Sequence, residues 1–279
     1  MPRWAEYWPE RDPRELAADV RRRFETALEA WQLGDPRPFR AGAVGLVCEA
    51  ARDGRAVVLK VNPRGHGDEV QLAAEGDALG FWEPTGAVAR LLGRRDDGLT
   101  LLMERLIPGG ALDDTDRSFE ERLEILGGLA AELHAHVPPP GSCISMSDFV
   151  ADGRAALAER PELVEELDQL VQPSDHDVLI HADLHGGNAL RHGIRWTVID
   201  PKGVRGDRHA DIWALIEPDA PGLPDPGAAW ARVARYADAA GMDARRAGAW
   251  TRMRAYMESA QVTDAGWVAR LRDMGAALS

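Results

Sequence analysis

Apolar residues repeat at helical spacing over residues 12–33, the first clear pattern in the chain. Asp12 can cap this helix and Gly34 can end it. The spacing then changes, because residues 43–61 contain two β-rich runs on either side of an Asp-Gly pair at 53–54. An Asp-Gly pair between such runs is a strong hairpin signal. The start of the chain therefore predicts a helix followed by a β-hairpin.

A second helix and a second hairpin are predicted next. Residues 70–80 have a helical pattern, and residues 87–105 contain two further apolar runs around an Asp-Gly pair at 97–98. Strand, turn, strand, helix, strand, turn, strand describes a small antiparallel sheet with one inserted helix.

The pattern becomes mainly helical after a Pro-Gly-Gly turn at 108–110. Ser118 and Glu121 have capping-box spacing ahead of one helix. Further helical patterns cover residues 147–171, 227–240, 243–260 and 263–275. Residues 178–200 differ, because they contain short apolar strands with polar residues at their ends. A Pro- and Gly-rich stretch at 218–227 is interpreted as a surface loop.

The length of 279 residues exceeds that of a usual single core, so two lobes are expected. We place the boundary near residue 105, with a sheet lobe at 1–104 and a mainly helical lobe at 105–279. The fold class expected from this order is α+β. No run of about 18 apolar residues occurs, so a membrane span is not expected. The charged N-terminus does not indicate export, and a cytoplasmic location is expected.

Composition narrows the function classes further. The net charge of −13 disfavours a nucleic-acid binder and is compatible with a cationic small molecule. Cys48 and Cys143 lack metal-ligand spacing and are interpreted as buried apolar groups. Lysine occurs only at Lys60 and Lys202, and asparagine occurs only twice. A bias that has removed these residues elsewhere makes the remaining ones candidates for function.

The most specific chemical signal is the segment HADLHGGN, followed by VID. It places Asp183 and Asn188 five residues apart in a loop, and Asp200 at the end of the next apolar run. Phosphoryl transfer needs a carboxylate to receive the acceptor proton, and hard oxygen ligands for Mg²⁺. The alternative for each residue alone is a local turn hydrogen bond. The complete pattern favours phosphoryl transfer.

HADLHGGN and VID resemble the catalytic loop and the metal-binding aspartate of the aminoglycoside phosphotransferase and choline kinase group. The run IDPKGVRGDRHADI is most similar to the branch that contains streptomycin and hydroxyurea phosphotransferases. The resemblance extends upstream through AGAVGLVCEAARDGRAVVLKVN, AAEGDAL, GAVARLL and LLMERLIPG, and covers roughly residues 38–215. Protein kinases share the HxDxxxxN spacing. However, Pro-Lys-Gly follows Asp200 where they have Phe-Gly, and no Ala-Pro-Glu segment follows.

This resemblance implies a bilobal protein-kinase-like fold and an enzyme that uses Mg²⁺ and ATP or GTP. It implies that Asp183 is the catalytic base and that Asn188 and Asp200 hold the metal. His181 would brace the loop, and the role of His185 stays open.

Lys60 ends the strand-like run Ala-Val-Val-Leu-Lys, where a cation can reach the α- and β-phosphates of a nucleotide. A lysine at a strand end can equally be merely solvated. Glu75 is the favoured ion-pair partner because AAEGDAL matches the family pattern, and Glu69 is the competitor. Gly42 and Gly45 are candidates for a phosphate-binding loop, although an ordinary glycine turn is the alternative.

Met103, Glu104 and Leu106 lie in the segment that links the lobes, where such folds bind adenine through the linker backbone. An apolar residue such as Met103 can also be plain core. Lys202 follows Asp200 by two positions and can neutralise the transferring phosphoryl group or position the substrate. We expect Asp211 to brace the catalytic loop. Asp207 is open between bracing and binding.

The acceptor is predicted to be a small hydroxylated molecule, similar to an aminoglycoside, and the resemblance implies antibiotic resistance. Acidic candidates for an amine or guanidine are Asp113, Asp114, Glu217, Asp219 and Glu258. Trp213 and Trp250 can stack on a sugar or belong to the core. The alternatives are a sugar, amino-sugar or other metabolite kinase, a nucleotide-binding pseudokinase, and a protein kinase. A monomer or weak homodimer is expected.

Overall fold

The computed structural model describes residues 11–39, 45–64, 69–136, 143–216 and 228–279. The first helix, α1, spans Pro13–Ala30. As expected, Asp12 caps it, because its carboxylate accepts a hydrogen bond of 2.8 Å from the backbone N–H of Arg14. Pro13 suits the first turn, where no N–H donor is needed.

A five-stranded antiparallel sheet follows, in the order β1-β2-β3-β5-β4. Its strands are β1 (Gly34–Pro38), β2 (Leu46–Arg52), β3 (Arg55–Val61), β4 (Leu91–Arg95) and β5 (Thr100–Glu104). The helix α2 (Glu69–Trp82) is inserted between β3 and β4. Both predicted hairpins are present. Asp53 and Gly54 turn the first one, each with a positive φ that a tight hairpin requires.

Strand β1 was not predicted from the sequence. It is exposed along its whole length and contains two prolines, so it carries no alternation of apolar and polar residues. Prolines are tolerated there because β1 is an edge strand, where one side of the backbone needs no partner.

Helix α1 covers one face of this sheet. Leu16, Val20 and Ala27 form a buried cluster with Val57 and Leu59 of β3. Helix α2 instead belongs to the larger core of the C-terminal part, because Ala78, Leu79 and Trp82 pack there.

The remainder of the chain is mainly helical, with short strands in two three-stranded sheets. The helices are α3 (Phe119–His134), α4 (Met146–Phe149), α5 (Ala151–Ala156), α6 (Pro161–Leu170), α7 (Ala229–Ala240), α8 (Ala244–Gln261) and α9 (Ala265–Ala277). The strands are β6 (Pro108–Ala111), β7 (Ile144–Ser145), β8 (Val178–Ile180), β9 (Ala189–His192), β10 (Arg195–Val198) and β11 (Val204–Gly206). One sheet has the order β10-β9-β6 and the other β7-β11-β8. Ser118 and Glu121 form the predicted capping box of α3.

The single helical pattern predicted over 147–171 is wrong in detail, because three helices occupy it. Val150 lies between α4 and α5 with a ψ of 2°, outside the helical range. Pro161 starts α6, as a residue without an N–H donor often does.

The antiparallel sheet followed by a mainly helical part confirms the α+β fold class. The boundary between residues 104 and 105 stays a prediction. Among the described residues, no helix combines the length and apolarity needed to cross a membrane. Gly42, Glu217, Asp219 and the loop at 218–227 lie outside the described residues, and so does the side chain of Glu69.

Candidate active site

A cleft of about 660 Å³ brings together residues that are far apart in the sequence. All predicted site residues in the described part of the chain line it, namely Gly45, Lys60, Glu75, Met103, Glu104, Leu106, Asp183, Asn188, Asp200 and Lys202. The five-stranded sheet contributes one wall, and the loops after β8 and β10 contribute the other. A single concave site with several converging charged groups is the usual form of a ligand pocket.

Lys60 joins the two walls of the cleft. Its Nζ atom lies 2.6 Å from Glu75 Oε2 on α2 and 2.6 Å from Asp200 Oδ1 after β10. Burial disfavours a charged lysine, but the two carboxylates outweigh it and raise the pKa of Lys60 above its ordinary value. Lys60 is therefore a fixed cation, aligned by two ion pairs.

The loop from Asp183 to Asn188 is closed by hydrogen bonds of its own asparagine. The Nδ2 atom of Asn188 donates a hydrogen bond of 2.9 Å to the carbonyl of Asp183, and the N–H of Asn188 donates one of 3.0 Å to the carbonyl of His185. The His185 ring accepts a hydrogen bond from the N–H of Gly187 through Nδ1, at 3.2 Å. These contacts hold a tight turn beneath the Asp183 side chain.

Asp183 is paired with Lys202 across the site, at 3.0 Å between Oδ2 and Nζ. Burial opposes the charge of Lys202, but Asp200 and Asp183 outweigh it and raise the pKa of the lysine. Lys60 and Lys202 thus face the carboxylates of Glu75, Asp183 and Asp200. Burial raises the pKa of Glu75 above its ordinary value, although the charge of Lys60 opposes this rise.

Asn188 and Asp200 are adjacent because the N–H of Ile199 donates a hydrogen bond of 3.0 Å to the carbonyl of Asn188. Burial favours a neutral Asp200, but Lys202 and Lys60 outweigh it and lower the pKa of its carboxyl group. Asp200 is therefore ionised. An amide and a carboxylate side by side suit Mg²⁺, which binds few protein oxygens and completes its shell with phosphates and water. The residues present fit the predicted metal.

Asp211 braces the start of the loop, as predicted. It is fully buried, and it accepts hydrogen bonds from the N–H groups of His181 and Ala182 at 3.0 and 2.9 Å. Ala182 has a φ of 63°, a conformation that costs energy for a residue with a side chain. Burial opposes ionisation of Asp211, but the hydrogen bond from His134 and nearby charge lower the pKa of its carboxyl group. The carboxylate thus holds a strained backbone in place.

His181 has a structural environment. Its Nε2 atom donates to the carbonyl of Ile199 at 3.0 Å, and its Nδ1 atom accepts from the N–H of Asp183 at 3.3 Å. Burial lowers the pKa of the ring, which agrees with the neutral form that this pattern requires. Two further braces were missed from the sequence. His134 Nε2 donates to the Asp211 carboxylate at 2.9 Å, and Tyr236 OH donates to the backbone carbonyl of Asp211 at 2.7 Å. Neither lies in a motif.

Asp207 braces rather than binds. It accepts hydrogen bonds from the ring of His209 at 2.5 Å and from Trp250 Nε1 at 2.8 Å, and it is ion-paired with Arg246 of α8. Burial opposes its charge, but these donors outweigh burial and lower the pKa of the carboxyl group. Trp250 is 2% exposed. Its alternative role as a sugar-stacking face is therefore wrong, because its ring lies in the core.

Of the acidic acceptor candidates, Glu258 lies in the electrostatic field of Asp183. It is ion-paired with Arg254 at 3.2 Å, and the Arg254 guanidinium lies 4.9 Å from the centre of the Trp213 ring. Burial raises the pKa of Glu258 despite this arginine. Asp113 does not face open space, because a Cβ at Gly186 would lie 2.0 Å from its carboxylate. Asp113 thus packs on the catalytic loop, and Asp114 is exposed on the surface.

The opposite end of the cleft is apolar and has one contact that was missed from the sequence. Met103 and Leu106 are 6% and 2% exposed, and they lie beside the linker backbone. Glu104 uses its own N–H to donate to the carbonyl of Arg90, at 3.0 Å. The guanidinium of Arg105 lies 5.2 Å from the ring centre of Phe39, which follows the unpredicted strand β1. Together Phe39 and Arg105 cover this end.

Comparison with known proteins agrees with this geometry. The family model of aminoglycoside/hydroxyurea antibiotic resistance kinases matches residues 30–266. No curated protein matches the sequence significantly.

Several solved structures share the fold. The choline kinase LicA from Streptococcus pneumoniae has a TM-score of 0.62 at 11% identity, over 91% of this chain and 96% of that chain. The macrolide 2'-phosphotransferase MphH from Brachybacterium faecium has a TM-score of 0.56 at 22% identity, over 96% and 98%. The spectinomycin phosphotransferase APH(9)-Ia, solved with ADP and spectinomycin, has a TM-score of 0.58 at 12% identity, over 90% and 93%. These likenesses confirm the protein-kinase-like fold.

Proposed function

The chain belongs to the family of aminoglycoside/hydroxyurea antibiotic resistance kinases and is a small-molecule phosphotransferase, and on that premise we propose its donor, acceptor class and catalytic residues. It transfers the γ-phosphoryl group of ATP or GTP to a hydroxyl of an aminoglycoside-like or other small acceptor. The single observation that carries the proposal is the cluster of Lys60, Lys202, Asp183, Asn188 and Asp200 in one cleft.

The nucleotide is proposed to lie along the cleft from the linker to Lys60. The apolar surface at Met103 and Leu106 suits a purine ring, whose edge can hydrogen-bond the linker backbone. Lys60 lies at the other end, fixed by its two ion pairs, where it can neutralise phosphate oxygens. The solved spectinomycin phosphotransferase binds ADP, which supports nucleotide use by this fold.

Asn188 and Asp200 are the proposed ligands of Mg²⁺, which would supply charge neutralisation for the nucleotide phosphates. The lowered pKa of Asp200, which favours its ionised form, supports this assignment. The hydrogen bond from Asn188 Nδ2 to the carbonyl of Asp183 fixes the side-chain amide, so its oxygen is held in one orientation.

Asp183 is the proposed general base. Its carboxylate receives the proton of the acceptor hydroxyl while the acceptor oxygen attacks the γ-phosphorus atom. The bond from the γ-phosphorus to the β-phosphate oxygen breaks, and ADP or GDP leaves. Lys202 lies 3.0 Å from that carboxylate and orients it. It also places a positive charge next to the position where the transferred phosphoryl group passes.

The acceptor is proposed to bind between the catalytic loop and α8. Arg254 and Glu258 of that helix both lie in the field of Asp183, which supports this side as the entrance for the acceptor. An acceptor with an amino or guanidino group would compete with Arg254 for the Glu258 side chain. The spectinomycin phosphotransferase with a similar fold was solved with spectinomycin bound, which supports a small-molecule acceptor. Sugars, amino sugars and other metabolites are the competing acceptors.

The test is a Mg²⁺-dependent phosphorylation screen with ATP and GTP. The acceptor panel contains streptomycin and other aminoglycosides, spectinomycin, hydroxyurea, hexoses, amino sugars and choline. We expect turnover of one acceptor class in the wild-type protein. Asp183→Ala should lower kcat by orders of magnitude and leave nucleotide affinity nearly unchanged, because Asp183 acts on the acceptor.

The matched control is Asp168→Ala, which removes an exposed aspartate paired with Arg154 far from the cleft. This variant should keep wild-type turnover. Near-wild-type turnover by Asp183→Ala would refute the assignment of the base. Nucleotide binding without turnover of any acceptor would favour a pseudokinase, and transfer to casein alone would favour a protein kinase.

A further inference from the structure

The chain has two lysines and two asparagines, and Asn62 is the only one of these four residues that the proposed mechanism does not use. The chain contains only two asparagines, and the other one is the proposed metal ligand Asn188. Asn62 follows strand β3 directly and is 0% exposed. Neither its Oδ1 nor its Nδ2 atom has a hydrogen-bond partner among the described residues. A buried amide without partners is unfavourable, so its presence calls for a ligand.

The backbone of Asn62 is fixed, so the direction of its side chain is not accidental. Its N–H donates a hydrogen bond of 2.8 Å to the carbonyl of Leu99. Its carbonyl accepts a hydrogen bond from the buried guanidinium of Arg23 on α1. Side chains two positions apart on an extended segment point to the same face. Asn62 therefore projects to the face that carries Lys60.

The amide lies at the phosphate end of the cleft. Asn62 lines the cleft together with Lys60 and Gly45. A Cβ added at Gly45 would lie 2.5 Å from Asn62 Oδ1 and 3.5 Å from Lys60 Cε. The side chains of Asn62 and Lys60 thus share the space beneath Gly45, and a residue larger than glycine there would collide with the amide.

The chemistry of the two unpartnered amide atoms limits the class of ligand that can bind there. An amide offers two N–H donors and one acceptor oxygen, whereas a purely structural position between β-strands would be filled better by an apolar residue. The neighbouring charged group is the ammonium of Lys60. A ligand that satisfies both an ammonium and a neutral N–H donor is an anion with several acceptor oxygens.

We propose that Asn62 is a phosphate-binding residue of the nucleotide site. Its Nδ2 group donates a hydrogen bond to a non-bridging oxygen of the α- or β-phosphate, beside Lys60. This inference rests on the proposed function, because it assumes that a nucleoside di- or triphosphate occupies the cleft. It adds a neutral donor to the proposed site, in which the other phosphate contact is the cation Lys60.

The test measures nucleotide affinity without any acceptor. Isothermal titration with ADP, ATP and adenosine compares the wild-type protein with Asn62→Leu, which has a similar size and no polar atom. We expect the affinity for ADP and ATP to fall roughly 10- to 100-fold, the usual effect of one hydrogen bond to a charged group. Adenosine affinity should stay unchanged. The melting temperature without nucleotide should stay equal or rise, because two unsatisfied polar atoms are removed.

Thr100→Val is the matched control. Thr100 is also 0% exposed and lies on the same sheet, but its hydroxyl is bonded to Asp96 at 2.6 Å. This variant should lower the melting temperature and leave ADP affinity unchanged. A merely structural role of Asn62 predicts the same result for Asn62→Leu.

Each outcome decides a different point. Unchanged ADP affinity in Asn62→Leu, with normal binding by the wild-type protein, overturns this inference alone. An equal loss for adenosine and ADP also overturns it, because the amide would then not act on phosphate. If the wild-type protein binds no nucleotide, the proposed function fails as well. Should Asn62→Leu not fold, Asn62→Ala removes both polar atoms without adding bulk or charge, and its affinity for ADP must fall more than its affinity for adenosine.

Discussion

Replacement of Asp211 by asparagine should damage the catalytic loop from a distance. Its Oδ1 atom accepts from the N–H of Ala182, and its Oδ2 atom accepts from the N–H of His181 and from His134 Nε2. An asparagine has one acceptor oxygen where the aspartate has two. The asparagine loses least when its oxygen takes the place of Oδ2 and still accepts from His181 and His134. Its NH₂ group then faces the N–H of Ala182, to which it cannot bond.

The cost follows from these contacts. The buried N–H of Ala182 would lose its partner, which costs about 1–3 kcal/mol. The two remaining hydrogen bonds would lose their ionic character, at about 0.5–1 kcal/mol each, because charge-assisted bonds are about twice as strong as neutral ones. The sum is about 2–5 kcal/mol. With an unfolding entropy of about 2.1 cal/mol/K per residue, this cost corresponds to a fall of about 3–9 °C in the melting temperature.

Urea unfolding and thermal unfolding of Asp211→Asn measure this cost. The control is Asp168→Asn, the same chemical change at an exposed ion pair with Arg154, which should leave the stability nearly unchanged. At temperatures where the variant is folded, kcat should fall more than the affinity for nucleotide, because the strained loop at Ala182 positions Asp183. A loss of stability below about 1 kcal/mol in Asp211→Asn would refute the reasoning.

Two further predictions concern Lys202 and Asp207. Lys202→Met removes the cation 3.0 Å from Asp183 and should lower kcat roughly 100- to 1000-fold in steady-state kinetics. Lys202→Arg should recover part of the rate. An unchanged kcat in Lys202→Met would contradict the assignment. The pKa of Asp207 in the folded protein is lowered from its ordinary value of 3.8. The ionised side chain therefore stabilises the folded protein at pH values above 3.8. This stabilisation is lost as the pH falls from there through the lowered pKa of the folded protein. Urea unfolding should therefore show Asp207→Asn to be less stable at pH 7, with a gap that narrows below about pH 5. A gap independent of pH would show that the charge of Asp207 is not the cause.

The sequence was sufficient for the parts of the site that lie in short motifs. HADLHGGN and VID place Asp183, Asn188 and Asp200 within eighteen consecutive positions, and the strand–turn–strand pattern around them fixes their relative order. Lys60 could be found because it is one of two lysines and lies in the last residues of a strand-like run. The two hairpins were predictable because Asp-Gly pairs mark them, and their turns need the positive φ that such pairs allow.

Other features depend on contacts between distant segments, which leave no local signal. His134 is seventy-seven positions away from Asp211, and it reads as an ordinary residue near a helix end. Strand β1 has no alternating pattern because its side chains are exposed. Asp113 was a candidate for an acceptor contact. The sequence around an aspartate does not show whether its side chain is exposed or packed against a glycine. Only the position of Gly186 distinguishes them.

Helix α2 has a consequence for control of the enzyme. It carries Glu75 and ends in Trp82, which is fully buried and donates from Nε1 to the carbonyl of Leu133 at 3.0 Å. Protein kinases switch themselves off by displacing the equivalent helix and breaking its ion pair with the strand lysine. Here that helix is anchored in the larger core, and its Glu75 is ion-paired with Lys60. Control of activity by outward movement of this helix would therefore disturb the packing of that core. Inhibitors that work by pushing this helix outward would have to unpack a core tryptophan.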